Sequence, residues 1–138
     1  MKLYIYTDGA SRGNPGKSAS CYLIIDDSGK VIAKEVLYNG IKTNNFAEYM
    51  AIISALEKVA QLFGYDNEIH ITSDSKLAIN QINGAYKVKD KYLKELNKKV
   101  KELSSKFKSC TFSNDRRENK YISIVDKELN RFLDKNER

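Results

Sequence analysis

The amino-terminal stretch that sets the architecture is MKLYIYTDGASRGNPG (residues 1–16). Its first part, Lys2–Thr7, alternates in polarity and is rich in β-branched and aromatic residues, which predicts a strand. Asp8 and Gly9 follow at the predicted end of that strand, and Gly13–Gly16 completes a turn-rich loop. Ligands of α/β proteins usually bind where strands end. Asp8 is therefore a candidate functional residue.

The remaining chain continues with a regular succession of strands and helices. Strands are predicted over 19–25, 30–37, 68–72 and 109–113, and helices over 43–63, 76–83, 90–107 and 122–133. The order β β β α β α α β α combines a meander with strands that follow crossover helices, so we predict an α/β fold with a five-stranded mixed sheet flanked by helices. The length and the absence of any repeat or linker predict one domain over residues 1–138.

The charge is concentrated in one segment. The chain has 24 Lys and Arg against 18 Asp and Glu, a net charge of +6. The segment 87–108 holds nine lysines and three acidic residues, an excess that equals the charge of the whole chain. A basic element on a balanced body suits a nucleic acid partner, although a solvated lysine-rich helix has the same composition. An anionic membrane suits it less well, because the lysines lie all round the predicted helix.

Other classes of protein are disfavoured by composition. No apolar run approaches the roughly 20 residues that cross a bilayer, and the amino terminus lacks the apolar stretch of a signal peptide. Cys21 and Cys110 both lie in predicted strands, which favours free thiols and a reducing, cytoplasmic location. A structural zinc site is disfavoured by a content of one histidine and two cysteines.

Three further acidic residues can join Asp8. Glu48 lies in the predicted first turn of the first helix, Asp74 ends the fourth strand, and Asp126 lies on the last helix. About four carboxylates would repel one another unless cations neutralised them, and carboxylates without His or Cys suit Mg²⁺ or Mn²⁺. Two such ions roughly 3.5–4 Å apart clamp a phosphodiester, one activating a water and the other stabilising the leaving oxygen.

Each acidic residue also has a structural alternative. Asp8 and Gly9 can form a simple turn, and Asn45 with Glu48 matches the spacing of a capping box. Asp74 or the following serine can cap the next helix, and the acid on the last helix can be an ordinary surface charge.

Four motifs in chain order resemble those of the type 1 ribonuclease H family. They are Tyr6–Gly16, Thr43–Tyr49, Ser73–Lys76 and Arg116–Lys120, the last of which is similar to archaeal-like members. The resemblance covers essentially the whole chain. It implies the ribonuclease H fold and endonucleolytic hydrolysis of RNA in RNA–DNA hybrids, with 5′-phosphate and 3′-hydroxyl products.

The resemblance also implies the site residues. It implies a catalytic set of four acids that would hold two Mg²⁺ ions, for which Mn²⁺ could substitute. These acids are Asp8, Glu48, Asp74 and Asp126. The resemblance further implies that three asparagines contact the minor groove and that one threonine contacts a DNA phosphate. These substrate-binding residues are Asn14, Thr43, Asn44 and Asn45. Asparagine suits this task because its amide both donates to and accepts from the 2′-hydroxyls and base edges of a wide minor groove.

The sequence departs from the family pattern at the fourth acid. Family members often carry it four residues after the position of Asn119, but Ser123 stands there. Asp126 comes seven residues after Asn119 and begins a tail similar to D-x-x-A-N, so we assign it as the fourth ligand with a short insertion. The alternatives are Asp115 and Glu118.

Two accessory features of some family members are missing. His70 lies inside the fourth predicted strand, so it does not correspond to the family's mobile histidine and is predicted to be structural. There is no tryptophan-rich basic handle, since the chain has no Trp; its role is expected to fall in part to Lys87, Lys89 and Lys91. We expect a monomer with no hybrid-binding domain before Met1.

Two other functions remain open at this stage. The irregular fourth motif motivates a non-catalytic hybrid-binding module on the same fold. A resolvase-like metal nuclease of the same superfamily is the other alternative, and the hybrid-reading residues Asn14, Thr43 and Asn44 disfavour it.

Overall fold

The computed structural model describes residues 1–136, and its elements follow the predicted order. In chain order they are β1 (Lys2–Gly13), β2 (Gly16–Asp26), β3 (Val31–Lys42), α1 (Asn44–Phe63), β4 (Glu68–Ser73), α2 (Lys76–Ile82), α3 (Lys91–Ser105), β5 (Ser109–Asn114) and α4 (Lys120–Asn136). Within this part of the chain, no helix has both the length and the apolar character needed to span a membrane.

The five strands form one mixed sheet in the order β3-β2-β1-β4-β5. β1, β2 and β3 pair antiparallel as a meander, whereas β4 pairs parallel to β1 and β5 pairs parallel to β4. Parallel neighbours need a crossover connection, which α1 supplies before β4 and α2 with α3 supply before β5. The predicted five-stranded mixed sheet is confirmed.

β1 is longer than predicted, and this changes the position of Asp8. The antiparallel pairing with β2 continues past Asp8 as far as the pair Gly13 and Gly16, whereas the parallel pairing with β4 stops at Thr7 and Ser73. The turn predicted at Asp8 and Gly9 is therefore wrong, because pairing with a neighbouring strand outweighs the local turn preference. The turn predicted over Gly13–Gly16 is confirmed as the β1–β2 hairpin turn. Asp8 lies inside β1, at the point where β4 leaves the sheet.

Helices pack on both faces of the sheet. Because alternate side chains of a strand point to opposite faces, Leu3 and Ile5 lie in the layer under α1, whereas Tyr4 and Tyr6 lie in the layer under α4. Asp8 shares the second face by the same periodicity. The site at the end of β4 is thus reached by α1 from one face and by α4 from the other.

Neither Glu48 nor Asp74 caps a helix, because other residues cap α1 and α2. Thr43 caps α1 by accepting the backbone N–H three residues later, and Ser75 caps α2 in the same way. The structural alternative of a capping box formed by Asn45 and Glu48 is therefore wrong, since the helix begins before Asn45 and Glu48 is its fifth residue. The carboxylates of Glu48 and Asp74 remain available for another role.

His70 has a structural environment away from the end of β4. Its ring stacks on Tyr4 with 5.2 Å between centroids, and its Nδ1 lies 2.9 Å from the hydroxyl of Thr111 on β5. These contacts span three adjacent strands.

Candidate active site

Three acidic side chains from different elements meet where β4 leaves the sheet. Asp8 comes from β1, Glu48 from the second turn of α1, and Asp74 from the connection between β4 and α2. One carboxylate oxygen of each lies within 4.8 Å of the other two. Asp8 is 6% exposed and Glu48 is 7% exposed. Such a cluster of oxygen atoms suits a hard divalent cation.

The backbone N–H of Gly9 holds the two buried carboxylates. It donates to Oε1 of Glu48 at 2.5 Å and to Oδ1 of Asp8 at 2.9 Å. Gly9 approaches α1 this closely because it has no side chain, since a Cβ there would overlap the backbone of Ala47 and Glu48. The hydroxyl of Ser73 adds a longer contact, donating to Oε2 of Glu48 at 3.4 Å.

The cluster is electrostatically unfavourable without a positive charge. Burial raises the pKa of Asp8, and the carboxylates of Glu48 and Asp74 raise it further. Burial also raises the pKa of Glu48 and of Asp74, the latter against the opposing charge of Arg117. Carboxylates this close ionise together readily only when a cation lies among them. The residues present therefore fit a divalent metal site.

The raised pKa values predict that the metal-free chain loses stability as the pH rises. The folded state holds protons that the unfolded chain releases above the ordinary carboxyl pKa of about 4, so folding is less favourable at pH 8 than at pH 5.5. We expect a melting temperature roughly 5 °C lower at pH 8 in EDTA, equivalent to about 1 kcal/mol. Circular dichroism melts at both pH values measure it.

Adding Mg²⁺ and substituting Asp8 both test the origin of this pH dependence. Mg²⁺ should raise the melting temperature mainly at pH 8, because the cation then replaces the proton, and Asp8→Asn should flatten the difference. Equal melting temperatures at the two pH values in EDTA would contradict the predicted repulsion.

Asp126 faces the same site from α4. It lines, with the three clustered acids, a cavity of about 430 Å³. Its charge raises the pKa of Asp8 and of Asp74, and its Oδ1 accepts from Nδ2 of Asn130 at 3.2 Å. Among residues 1–136, the carboxylate oxygens that lie within 4.8 Å of one another belong to the other three acids. Asp126 therefore lines the same cavity at a greater distance from this cluster.

The two alternatives for the fourth acid lie elsewhere. Asp115 accepts hydrogen bonds from the backbone N–H of Arg116 at 2.7 Å and from the amide of Asn119 at 2.9 Å. Asp115 and Glu118 line a neighbouring depression on the β5–α4 connection. Neither is among the described residues that line the cavity formed with Asp8, Glu48 and Asp74. The geometry favours Asp126, whose role as a ligand stays a prediction.

The four predicted substrate-binding residues lie beside the cavity, where the β1–β2 hairpin meets α1. Asn44 and Asn45 line the cavity, and Asn14 and Thr43 line an adjoining groove. Oδ1 of Asn14 accepts from the backbone of Asn44 at 3.0 Å, and Oδ1 of Asn44 accepts from the backbone of Ser11 at 2.7 Å. These bonds engage the amide oxygens of Asn14 and Asn44, so each side chain offers its NH₂ group as the donor.

Five residues that line the cavity were not predicted as site residues, namely Gly9, Ala10, Ser75, Arg117 and Asn130. Nε of Arg117 lies 4.0 Å from Oδ2 of Asp74, and Arg117 belongs to the motif Arg116–Lys120 that could have pointed to it. Asn130 follows Asp126 by four residues, a spacing that puts both on one helix face. The role of Gly9 has no local signal, because it depends on the approach of α1.

Sequence comparison identifies related proteins. A family profile described as reverse transcriptase-like matches residues 6–123. Ribonuclease HI of Halobacterium salinarum is 39% identical over 106 residues, which is 77% of this chain and 52% of the relative. A bifunctional protein of Mycobacterium tuberculosis is 34% identical over 113 residues, 81% of this chain and 30% of the relative. The chain thus spans about half the length, or less, of these curated relatives.

Solved structures agree with this relationship and cover nearly the whole chain. RNase H1 of Halobacterium salinarum superposes with a TM-score of 0.90 and 34% identity, covering 98% of this chain and 99% of that one. LC11-RNase H1, crystallised in complex with an RNA/DNA hybrid, has a TM-score of 0.83 and 33% identity, covering 95% and 99%. The fold is that of the ribonuclease H class. The chain belongs to the reverse transcriptase-like family and, within it, to the type 1 ribonucleases H.

Proposed function

We propose that this chain is an endoribonuclease that hydrolyses the RNA strand of RNA–DNA hybrids and leaves 5′-phosphate and 3′-hydroxyl ends. The observation that carries the proposal is the convergence of Asp8, Glu48 and Asp74 on one cavity at the end of β4. The relative LC11-RNase H1, described in complex with an RNA/DNA hybrid, supports the substrate class.

The proposed cofactor is a pair of Mg²⁺ ions, for which Mn²⁺ can substitute. The proposed ligands are Asp8, Glu48, Asp74 and Asp126. When bound, two such ions activate the attacking water and stabilise the leaving 3′-oxygen of the scissile phosphodiester. The chain contributes the positions of the ligand oxygens: Gly9 orients two carboxylates with one N–H, and burial limits their hydration so that their charge acts strongly.

The surroundings of the cavity suit a hybrid duplex. The hydroxyl of Thr43 accepts the N–H of Phe46 at 3.1 Å, so its own O–H can donate to a DNA phosphate near the positive end of α1. Asn14, Asn44 and Asn45 present amide donors beside the cavity, as minor-groove contact requires. Three exposed lysines lie just before α3 and at its first residue, next to Asp90 of the groove, and add backbone affinity. They are Lys87, Lys89 and Lys91.

We propose that residues 1–138 act as one catalytic domain, monomeric and cytoplasmic. Cys21 and Cys110 are both free, and burial raises the pKa of each thiol to about 12. Such thiols stay protonated and unreactive, which is compatible with a reducing compartment.

The test is cleavage of an end-labelled RNA–DNA hybrid in Mg²⁺, Mn²⁺ or EDTA. We expect cleavage of the hybrid RNA with either metal and none in EDTA, and a loss of about 100-fold or more in Asp126→Asn, since each removed ligand weakens metal-borne stabilisation of the transition state. Double-stranded RNA and a four-way DNA junction serve as control substrates. Hybrid binding without cleavage would favour the non-catalytic module, and preference for the junction would favour a resolvase-like nuclease.

A further inference from the structure

One face of α4 carries three polar residues at intervals of four. They are Asp126, Asn130 and Asp134, and this spacing aligns their side chains along the helix. Arg12, near the end of β1, lies against this face: its Nη1 is 2.8 Å from Oδ1 of Asp134, and its Nη2 donates to Oδ1 of Asn130 at 3.0 Å. The contact exists because β1 continues past Asp8 into the extended hairpin.

Arg12 determines which way the amide of Asn130 points. A guanidinium has only donors, so it must face the amide oxygen, and the NH₂ group is then directed at Asp126. Nδ2 of Asn130 donates to Oδ1 of Asp126 at 3.2 Å and to the backbone oxygen of Asp126 at 2.9 Å. The reversed amide would place its oxygen against the carboxylate, where the two would repel each other.

We propose that Arg12 is a positioning residue for the fourth carboxylate and acts through Asn130. The amide of Asn130, held in place by Arg12, engages one oxygen of Asp126. It thereby sets the orientation in which the other oxygen of Asp126 is presented to the cavity. This inference rests on the proposed function, in which Asp126 is a metal ligand. Residues that orient a metal ligand commonly contribute 10–100-fold to metal affinity or activity.

The hairpin offers a matched control. Nζ of Lys17 donates to the backbone oxygen of Asn136 at 2.6 Å, so Lys17 also ties the hairpin to α4, but it touches no member of the Asp126–Asn130 pair. A purely structural role of Arg12, as an anchor of the hairpin, would make Arg12 and Lys17 equivalent.

The experiment uses the full chain and compares Arg12→Met, Asn130→Ala, their combination, Lys17→Ala and Asp126→Asn. Methionine keeps the length of the arginine stem and removes its donors. Three quantities are measured: the Mg²⁺ concentration for half-maximal hybrid cleavage, the affinity for Mn²⁺ alone by calorimetry, and the melting temperature in EDTA.

We expect Arg12→Met and Asn130→Ala each to raise the half-maximal Mg²⁺ concentration about 10–100-fold and to weaken Mn²⁺ binding similarly. The double variant should be no worse than Asn130→Ala, because Arg12 acts through that residue. Lys17→Ala should keep the metal dependence of the unmodified chain. Arg12→Met and Lys17→Ala should lower the melting temperature to a similar extent.

Two results would overturn the inference in different ways. If Asp126→Asn changes the metal dependence but Arg12→Met behaves like Lys17→Ala, the positioning role is wrong and the proposed function stands. If Asp126→Asn leaves metal binding and cleavage unchanged, the assignment of the fourth ligand fails, and the role of Arg12 fails with it.

Discussion

Asp8→Asn is expected to lower hybrid cleavage by about 10³-fold or more, since several kcal/mol of metal-borne stabilisation of the transition state are lost. The side chain of Asp8 extends from β1 to the point where α1 and the β4–α2 connection meet. One of its carboxylate oxygens lies within 4.8 Å of an oxygen of each of the other two clustered acids. Asparagine has nearly the same shape and can still accept the N–H of Gly9, but it contributes no negative charge. The loss is therefore chemical rather than structural, and hybrid binding should remain within about twofold because phosphate contacts carry most of the affinity.

Single-turnover cleavage and fluorescence anisotropy of a labelled hybrid separate the two effects. The matched control is Asp27→Asn, an exposed aspartate in the turn between β2 and β3, which should behave like the unmodified chain. Asp8→Asn should also melt at a higher temperature in EDTA at pH 8, because one of the repelling charges is gone. Cleavage by Asp8→Asn within tenfold of the unmodified rate would contradict the proposed site.

Gly9→Ala is expected to destabilise the fold by about 3 kcal/mol, the upper part of the range for overpacked sites. The added methyl group would overlap backbone atoms of Ala47 and Glu48, which cannot rotate away as a flexible side chain could. α1 must then move from β1, and it carries Glu48 with it. Cleavage should fall below detection even at temperatures where the variant is folded.

Urea unfolding followed by circular dichroism gives the free energy of unfolding for this comparison. The control is Gly40→Ala in β3, where the backbone has a φ of 78° but the new methyl group meets no atom within 4 Å. That variant should lose only about 1 kcal/mol, the cost of a left-handed conformation, and keep its activity. Equal losses in the two variants would show that α1 accommodates the methyl group and that the close approach at Gly9 is not required.

Local pattern was sufficient for most of the elements. The apolar positions of α1 repeat with the helical period, and the structure buries Tyr49, Ile52, Ile53, Leu56 and Val59. Gly64 ends that helix as predicted, with a φ of 73° that a glycine adopts without strain. Both features depend on neighbours within a few residues, so a single sequence contains them.

The candidate site was predicted in its residue types but not in its geometry. The acids Asp8, Glu48 and Asp74 were chosen because carboxylates near strand and helix ends suit divalent metals, and the structure brings these three together. The supposed strand end at Asp8 and the capping box at Glu48 were wrong. Pairing with the distant β2 extends β1 past Asp8, and Thr43, rather than Asn45, caps α1. The bond from Gly9 to Glu48 joins two segments far apart in the chain, so local preferences do not predict it.

The amino-acid sequence was thus enough to predict the order of strands and helices, the basic segment before and along α3, and the three acidic residues that meet at the site, because each depends on composition or on short-range periodicity. The length of β1, the contact of Gly9 with α1 and the link from Arg12 through Asn130 to Asp126 emerged from the folded chain alone. Arg12 and Asn130 are separated by 118 residues. Contacts at such separation depend on strand register and on how helices pack against the sheet, which neighbouring residues do not encode.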